Sequence, residues 1–353
     1  MKILIPHTVG KSTLANPFVR TLRDGLIACG HEVVCGKDIF WSSKDRYDLV
    51  FFQWPESILN ETKTAPSLEQ IKQRVGEFKK AGIPIAITCH NLHPHDKNAF
   101  LSTVYDCLYS QADVFHHLGE YSLQVMKAKY PDAHHFVAPH QAFYHLEEKD
   151  LNLKAYYKAK FGIPQNKVTI LAFGAFRNDD EREMFAGLSK LNNGKYCLWA
   201  PKIYRDTLRI KNLLTRTVCA WRYLYFAAKG IKMQNHVPVD EDVMPMICAA
   251  DILFIQRKEI LNSGNLPLGF SAGKIVVGPD LGNVGQILRA TGNLVFNPHD
   301  TVSIRNAIDK ATKMLEEGNA VGIRNYHYAE EHWQIQQVAK LISDNLEQST
   351  KKK

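Results

Sequence analysis

Long apolar runs are missing from this chain of 353 residues. The longest, Ile247 to Ile255, is interrupted by Asp251, and a spanning helix needs about 20 such residues, so no bilayer crossing is expected. The opening Met1-Lys2-Ile3-Leu4-Ile5 stops at Pro6 and His7. That is far short of a signal-peptide core, no small-residue cleavage site follows, and the run reads as a first strand. Paired cysteine motifs are missing too. Cys29, Cys35, Cys89, Cys107, Cys197, Cys219 and Cys248 are odd in number, scattered and never spaced as CxxC. This excludes a disulfide framework and a zinc knuckle and fits a reducing cytoplasm. An acidic surplus is absent as well: 44 Lys and Arg against 36 Asp and Glu give a formal charge of +8. Such a charge suits an anionic partner, whether nucleic acid, acidic lipid or phosphorylated substrate, but no recognised nucleic-acid module accompanies it.

What is present is a balanced globular composition, 45% apolar and 23% charged, in a chain long enough for about two domains. The first half alternates strand and helix: strand Lys2–Ile5, a helix around Phe18–Cys29, strands Glu32–Val34 and Asp48–Gln53, helix Leu68–Lys80, then strands Pro84–Thr88 and Ala112–His116. After Tyr144 the residues turn charged and helix-favouring through Lys160, and a Gly-Ile-Pro turn follows. The pattern then restarts with strands Val168–Phe173, Cys197–Trp199, Lys232–Gln234, Asp251–Ile255 and Ile275–Val277. The expectation is an α/β protein of two doubly wound parallel sheets: an N-terminal domain 1–160, a C-terminal domain 161–325, and C-terminal helices with a basic tail over 326–353. Ligands of such sheets bind outside the carboxyl ends of the strands, in a cleft. The apolar spacing of Trp333, Ile335, Val338, Leu341 and Ile342 is helical, and Lys351 to Lys353 reads as a frayed end.

One segment carries more information than the rest: Asp251 to Asn283, DILFIQRKEILNSGNLPLGFSAGKIVVGPDLGN. Asn262, Ser263 and Gly264 stand where a helix begins, Pro267 falls in its first turn, and Gly273 can end it. A helix start after a small-residue loop offers N–H groups to a diphosphate. The segment resembles the donor-binding core of glycosyltransferase family 4, and the likeness continues through Ala290-Thr291-Gly292-Asn293-Leu294-Val295-Phe296-Asn297-Pro298 and the Trp333 helix. In the first half, Asn16-Pro17-Phe18, Gln53-Trp54-Pro55-Glu56 and Thr88-Cys89-His90-Asn91-Leu92-His93-Pro94-His95 are similar to positions of the same bacterial enzymes.

The resemblance implies a GT-B fold whose two Rossmann-like domains face a cleft, with the last helix returning to the N-terminal lobe. It implies a glycosyltransferase that moves a sugar from a UDP- or GDP-sugar, without cofactor or metal, to a saccharide or a polyprenyl- or lipid-linked acceptor in cell-surface polysaccharide or glycolipid synthesis. Retention is the expected stereochemistry; inversion would require a true general base. Glu259 and His90 are the expected catalytic residues, Glu259 supporting positive charge at the anomeric carbon. Arg177 matches a family arginine for the leaving diphosphate, joined at the donor by Lys202, Lys258, Asn262, Ser263, Gly264 and Asn265. His7, Lys11, Asn16, Trp54, Glu56, His93 and His95 are expected to line the acceptor side. Two family residues are missing: the second glutamate would fall at Leu268, and the phosphate lysine at Asp180, leaving Lys202, Arg205 or Lys258 to substitute. These gaps motivate the alternative of an inactive GT-B-like protein that binds a nucleotide sugar or a partner.

Other readings are weaker. His90, His93 and His95 could ligate zinc, but Pro94 makes the loop irregular and no carboxylate has the spacing of a partner. Gly10-Lys11-Ser12-Thr13 imitates a phosphate loop, but the glycine required five residues earlier is Ile5. The basic, apolar-interleaved stretch Lys202 to Arg222 fits either an anionic membrane surface, placing the protein at the inner face of the cell membrane, or a helix packed with its apolar side inward.

Overall fold

The structure, a computed structural model, describes residues 1–9, 17–59, 66–94, 98–144, 152–191, 194–203, 212–234 and 240–351. Lys11, Asn16, His95 and Arg205 lie outside the described residues.

Two compact units divide the chain. The first comprises Met1–Phe143 and His332–Lys353, the second Tyr144–Glu331. In the first unit six strands, β1 (Lys2–Ile5), β2 (Glu32–Cys35), β3 (Leu49–Phe52), β4 (Ile85–Cys89), β5 (Val114–His117) and β6 (His134–Val137), form one parallel sheet in the order β2-β1-β3-β4-β5-β6. β3, β4 and β5 are buried along their whole length, the condition of central parallel strands covered on both faces. The helix Phe18–Ala28 puts Phe18, Leu22 and Leu26 into the core with Ile3, Ile5 and Phe51. Val338, Ile342 and Leu346 of the last helix, Ile335–Lys351, complete that same core.

The second unit repeats the plan with β7 (Val168–Leu171), β8 (Tyr196–Trp199), β9 (Ile231–Lys232), β10 (Ile252–Phe254), β11 (Ile275–Pro279) and β12 (Leu294–Phe296). They form a parallel sheet in the order β12-β11-β10-β7-β8-β9. Ile170, Leu198, Phe254, Val277 and Phe296 fill its core.

Several boundaries depart from the sequence expectation. β6 and β12 had no strand signal, because His134-His135 puts two imidazoles into a strand and β12 has three residues. The first unit ends at Phe143 rather than at 160. The physical reason is the helix Lys154–Lys160, whose Lys158 is buried against Asp251, Nζ to Oδ2 2.8 Å. A buried ion pair broken on one side costs several kcal/mol, so this helix belongs to the second sheet. The C-terminal region forms two helices, Ala320–His332 and Ile335–Lys351, and Lys351 is still helical, paired with Glu347. Within the basic stretch the described helix begins at Leu213, capped by Asn212, and its apolar side faces outward, against the reading of a helix packed with that side inward.

Candidate functional site

A doubly wound parallel sheet has one place where neighbouring strands lead their helices to opposite faces, and ligands settle at the carboxyl ends of those two strands. In the second unit that place lies between β7 and β10. Gly174, just past β7, has φ +92, and a Cβ built on it would meet nothing within 4 Å. The backbone here is therefore open, in a conformation that favours glycine.

Cations and amides converge on this end. Arg177 Nη1 donates to the Glu259 carbonyl at 3.0 Å, joining the loop after β7 to the loop after β10. Glu181 sits in the first turn of the helix Asp179–Ala186, whose N-cap Asn178 accepts from the Glu181 amide. Its carboxylate accepts from the Arg177 amide at 2.8 Å and from Arg257 Nη1 at 2.8 Å. Arg257 Nη2 also donates to the Ala175 carbonyl. Burial lowers the pKa of both arginines, and Glu181 opposes the shift; a guanidinium stays charged even so. Two arginines gather beside the buried Glu181 carboxylate, and the Glu259 carboxylate also acts on Arg177, so the cationic group at the strand ends carries its own acidic partners. Lys202 adds to it from the end of β8, its Nζ 5.8 Å from the Phe173 ring centre.

The Asn262–Asn265 turn lies alongside. Asn283 Nδ2 donates to Asn262 Oδ1 at 2.7 Å, the Asn265 amide donates to Ser263 Oγ, and Asn265 Nδ2 donates to the Phe173 carbonyl. The helix Asn265–Ser271 follows with Gly264 as N-cap. It closes at Gly273, φ +62, where the Gly273 and Lys274 amides return to Phe270 and Gly269, the two bonds of a Schellman ending. Leu268 is buried and apolar. Glu259 is exposed. Gln256 is 1% exposed, and its Oε1 finds no partner among the described residues.

In the first unit the corresponding strand ends are those of β1 and β3, flanked by β4. His7 follows β1, Gln53 and Trp54 follow β3, and His90 and Asn91 follow β4. Trp54 stacks on His90 with ring centres 3.9 Å apart, Phe18 meets His90 edge-on at 4.6 Å, and His7 lies 5.6 Å from Trp54. Ser57 Oγ donates to the Pro6 carbonyl, pinning the turn after β3 to the loop after β1. Gln53 Oε1 lies 3.3 Å from His90 Nε2. Burial first, then His140, His116 and His7, holds the His90 pKa well below the usual imidazole value. Its ring is therefore neutral at physiological pH and a hydrogen-bonding group rather than a cation. His7 Nδ1, Gln53 Nε2 and Asn91 Nδ2 are buried without partners among the described residues, polar atoms of the kind a hydroxylated ligand satisfies.

The structure thus groups Arg177, Lys202, Asn262, Ser263 and Asn265 in one unit and His7, Trp54 and His90 in the other. It turns Glu56 aside, its carboxylate accepting from Tyr105, and leaves His93 exposed. Arg257, Glu181 and Gln256 were missed from sequence, and Gln53 and Asn91 stood inside the motifs without a role of their own. Nothing local marks Arg257 over the adjacent Lys258, and the buried amides look like ordinary loop residues. Among the described residues no group of three His, Cys, Asp or Glu side chains is arranged to hold a metal ion.

No protein-family model matches the chain, and no curated protein resembles it significantly in sequence. Solved structures do resemble it in fold. Sucrose-phosphate synthase from Thermosynechococcus elongatus superposes with a TM-score of 0.72 at 12% identity, covering 100% of both chains. Anabaena HepE in complex with UDP gives 0.68 at 12% identity over 99% of this chain and 100% of HepE. The α,α-trehalose 6-phosphate synthase from Burkholderia multivorans gives 0.66 at 12% identity over 99% of each. The fold is GT-B along the full length of the chain.

Proposed function

We propose that this protein is a glycosyltransferase: its second unit binds a uridine diphosphate sugar at the β7–β10 end, and its first unit holds a saccharide acceptor. The observation that carries this reading is the Arg177 guanidinium, anchored at 3.0 Å to the Glu259 carbonyl beside the open backbone at Gly174. A sugar leaving its nucleotide deposits negative charge on the diphosphate, and a fixed cation at that point lowers the barrier without reorganising. Lys202 and the Asn262–Asn265 turn supply further donors, and Arg257 positions the loop through Glu181. Arg257 takes the place in the charge balance that the missing lysine at Asp180 leaves. Uridine is favoured over guanosine because HepE, of the same fold, has been solved with UDP and with UDP-glucose.

The chemistry proposed is transfer with retention and without metal. The anomeric C–O bond to the diphosphate breaks, the acceptor oxygen bonds to the same face of the sugar, and the acceptor proton passes to the departing diphosphate. Glu259 faces the positive charge at the anomeric carbon. His90 is buried and neutral, which makes it a weak base; its role is to position a hydroxyl, together with Gln53 and Asn91.

A second reading, a binder without turnover, rests on Leu268, where a buried leucine stands in place of a ribose-holding glutamate. Calorimetry with UDP, GDP and ADP, followed by assay of UDP release from UDP-sugars, separates the two. UDP binds, and Arg177→Ala weakens transfer by about 10²-fold or more. UDP binding with no release for any donor favours the binder. Absence of binding by any nucleoside diphosphate overturns both.

A further inference from the structure

Gln256 stands two residues past β10, with its side chain buried. Its Nε2 donates to the Phe173 carbonyl at 3.1 Å and reaches the Gly174 carbonyl at 3.4 Å. Backbone carbonyls only accept, so the nitrogen arm must be the one that faces them, and the amide has a single orientation. The oxygen arm is thereby directed elsewhere. Gln256 Oε1 is buried with no partner among the described residues, and an acceptor left so loses its hydration without return. The surroundings hold the amide in place. Asn265 Nδ2 donates to the same Phe173 carbonyl at 3.0 Å, whose two lone pairs accept both amides. The loops after β7 and β10 and the turn before the helix Asn265–Ser271 are tied together at this carbonyl, next to the open backbone of Gly174.

Chemistry decides what satisfies Oε1. The oxygens of a diphosphate accept hydrogen bonds, so the diphosphate that Arg177 would hold has nothing to offer a second acceptor. A hydroxyl does. Among the hydroxyl-bearing parts of a nucleotide sugar, the transferred sugar is the one assigned to this loop: Gln256 lies three residues before Glu259, which the proposed function sets at the anomeric carbon. We infer that Gln256 is a specificity residue whose Oε1 accepts a hydrogen bond from one hydroxyl of the transferred sugar. The inference rests on the donor reading above and adds to it a choice of sugar. A site built to bond a hydroxyl rejects the analogue that lacks it, because its own buried atom is then left unpaired.

The test is calorimetric and needs no acceptor substrate. UDP, UDP-glucose and UDP-glucose analogues lacking the hydroxyl at C2, C3, C4 or C6 are titrated into the full chain and into Gln256→Met, which keeps the length of the side chain without its acceptor. The parent protein binds one of the deoxy donors about tenfold more weakly than UDP-glucose, and Q256M binds that pair alike. Asn265→Ala removes the other amide from the Phe173 carbonyl; it weakens all donors together and keeps the tenfold difference. No deoxy donor weaker than UDP-glucose in the parent protein overturns the inference without recourse to a variant. So does a loss in Q256M that is equal for UDP and for every donor, which would make Gln256 a brace between loops, or a difference that N265A abolishes. UDP binding accompanied by any of these leaves the donor reading standing; absence of binding by UDP overturns that reading and this inference with it.

Discussion

His116 and His117, both fully buried, show how a single residue type reports its surroundings. His116 Nε2 donates to the Ala138 carbonyl, so Nδ1 accepts from Thr88 Oγ1. His135 Nε2 donates to the Tyr130 carbonyl, so its Nδ1 accepts from His117 Nε2. Each ring is a neutral tautomer set by its neighbours, and burial pushes His116 down to about 4 and His117 to about 3. Below pH 6.5 the unfolded chain takes up protons that these folded rings refuse, so the unfolded state binds more protons and stability falls as pH falls. The drop for His116 spans 6.5 to about 4 and amounts to about 3 kcal/mol. Urea unfolding followed across that window should show a midpoint that declines steadily, and His116→Gln should flatten the decline. A midpoint unchanged between those limits would contradict a buried neutral ring. The sequence shows the histidines; their burial depends on β5 lying inside a sheet, with β6 beyond it.

Gly25, on the helix Phe18–Ala28, shows what an element conceals in sequence. Its helical periodicity was readable, but the partner of its glycine was not. A Cβ at Gly25 would lie 2.6 Å from Ala339 Cβ on the helix Ile335–Lys351, more than three hundred positions along the chain. Alanine gains about 1 kcal/mol over glycine in a helix interior, whereas overpacking a tight contact costs about 1–3 kcal/mol. Gly25→Ala should therefore be neutral to destabilising, and Gly25→Leu should lower the melting temperature clearly. A melting temperature raised by either would show that the two helices are not in contact here. The Leu213–Ala228 helix poses the same problem in another form. Its spacing announces an apolar face, but only the packing of Phe226 decides that this face points outward.

At the scale of the molecule, the chain leaves the first unit at Phe143 and returns to it at His332. The return is fixed by Ala142 N to the Trp333 carbonyl at 2.8 Å, by His31 with Ser343, and by the burial of Val338, Ile342 and Leu346. Each such aliphatic side chain contributes about 1.5–3 kcal/mol, so three contribute about 5–9 kcal/mol, comparable with the whole stability of a domain. A chain ending at Trp333 should lose the cooperative unfolding of its first unit, read by circular dichroism and proteolysis. Unchanged unfolding would mean the last helix is dispensable. The sequence by itself determined the alternation of strand and helix, the restart in the second half, and the Asn262–Gly273 turn and helix, because apolar period, caps and positive-φ glycines are encoded within a few residues. It also determined Arg177 and His90 as residues at strand ends. Only tertiary structure decided the two strand orders, the pairing of Arg257 with Glu181, the burial of Gln53 Nε2 and Gln256 Oε1 without a partner among the described residues, and the side of the Leu213–Ala228 helix left in solvent. Those depend on which distant segments share a sheet, and packing between segments remote in sequence leaves no mark in the local pattern of either.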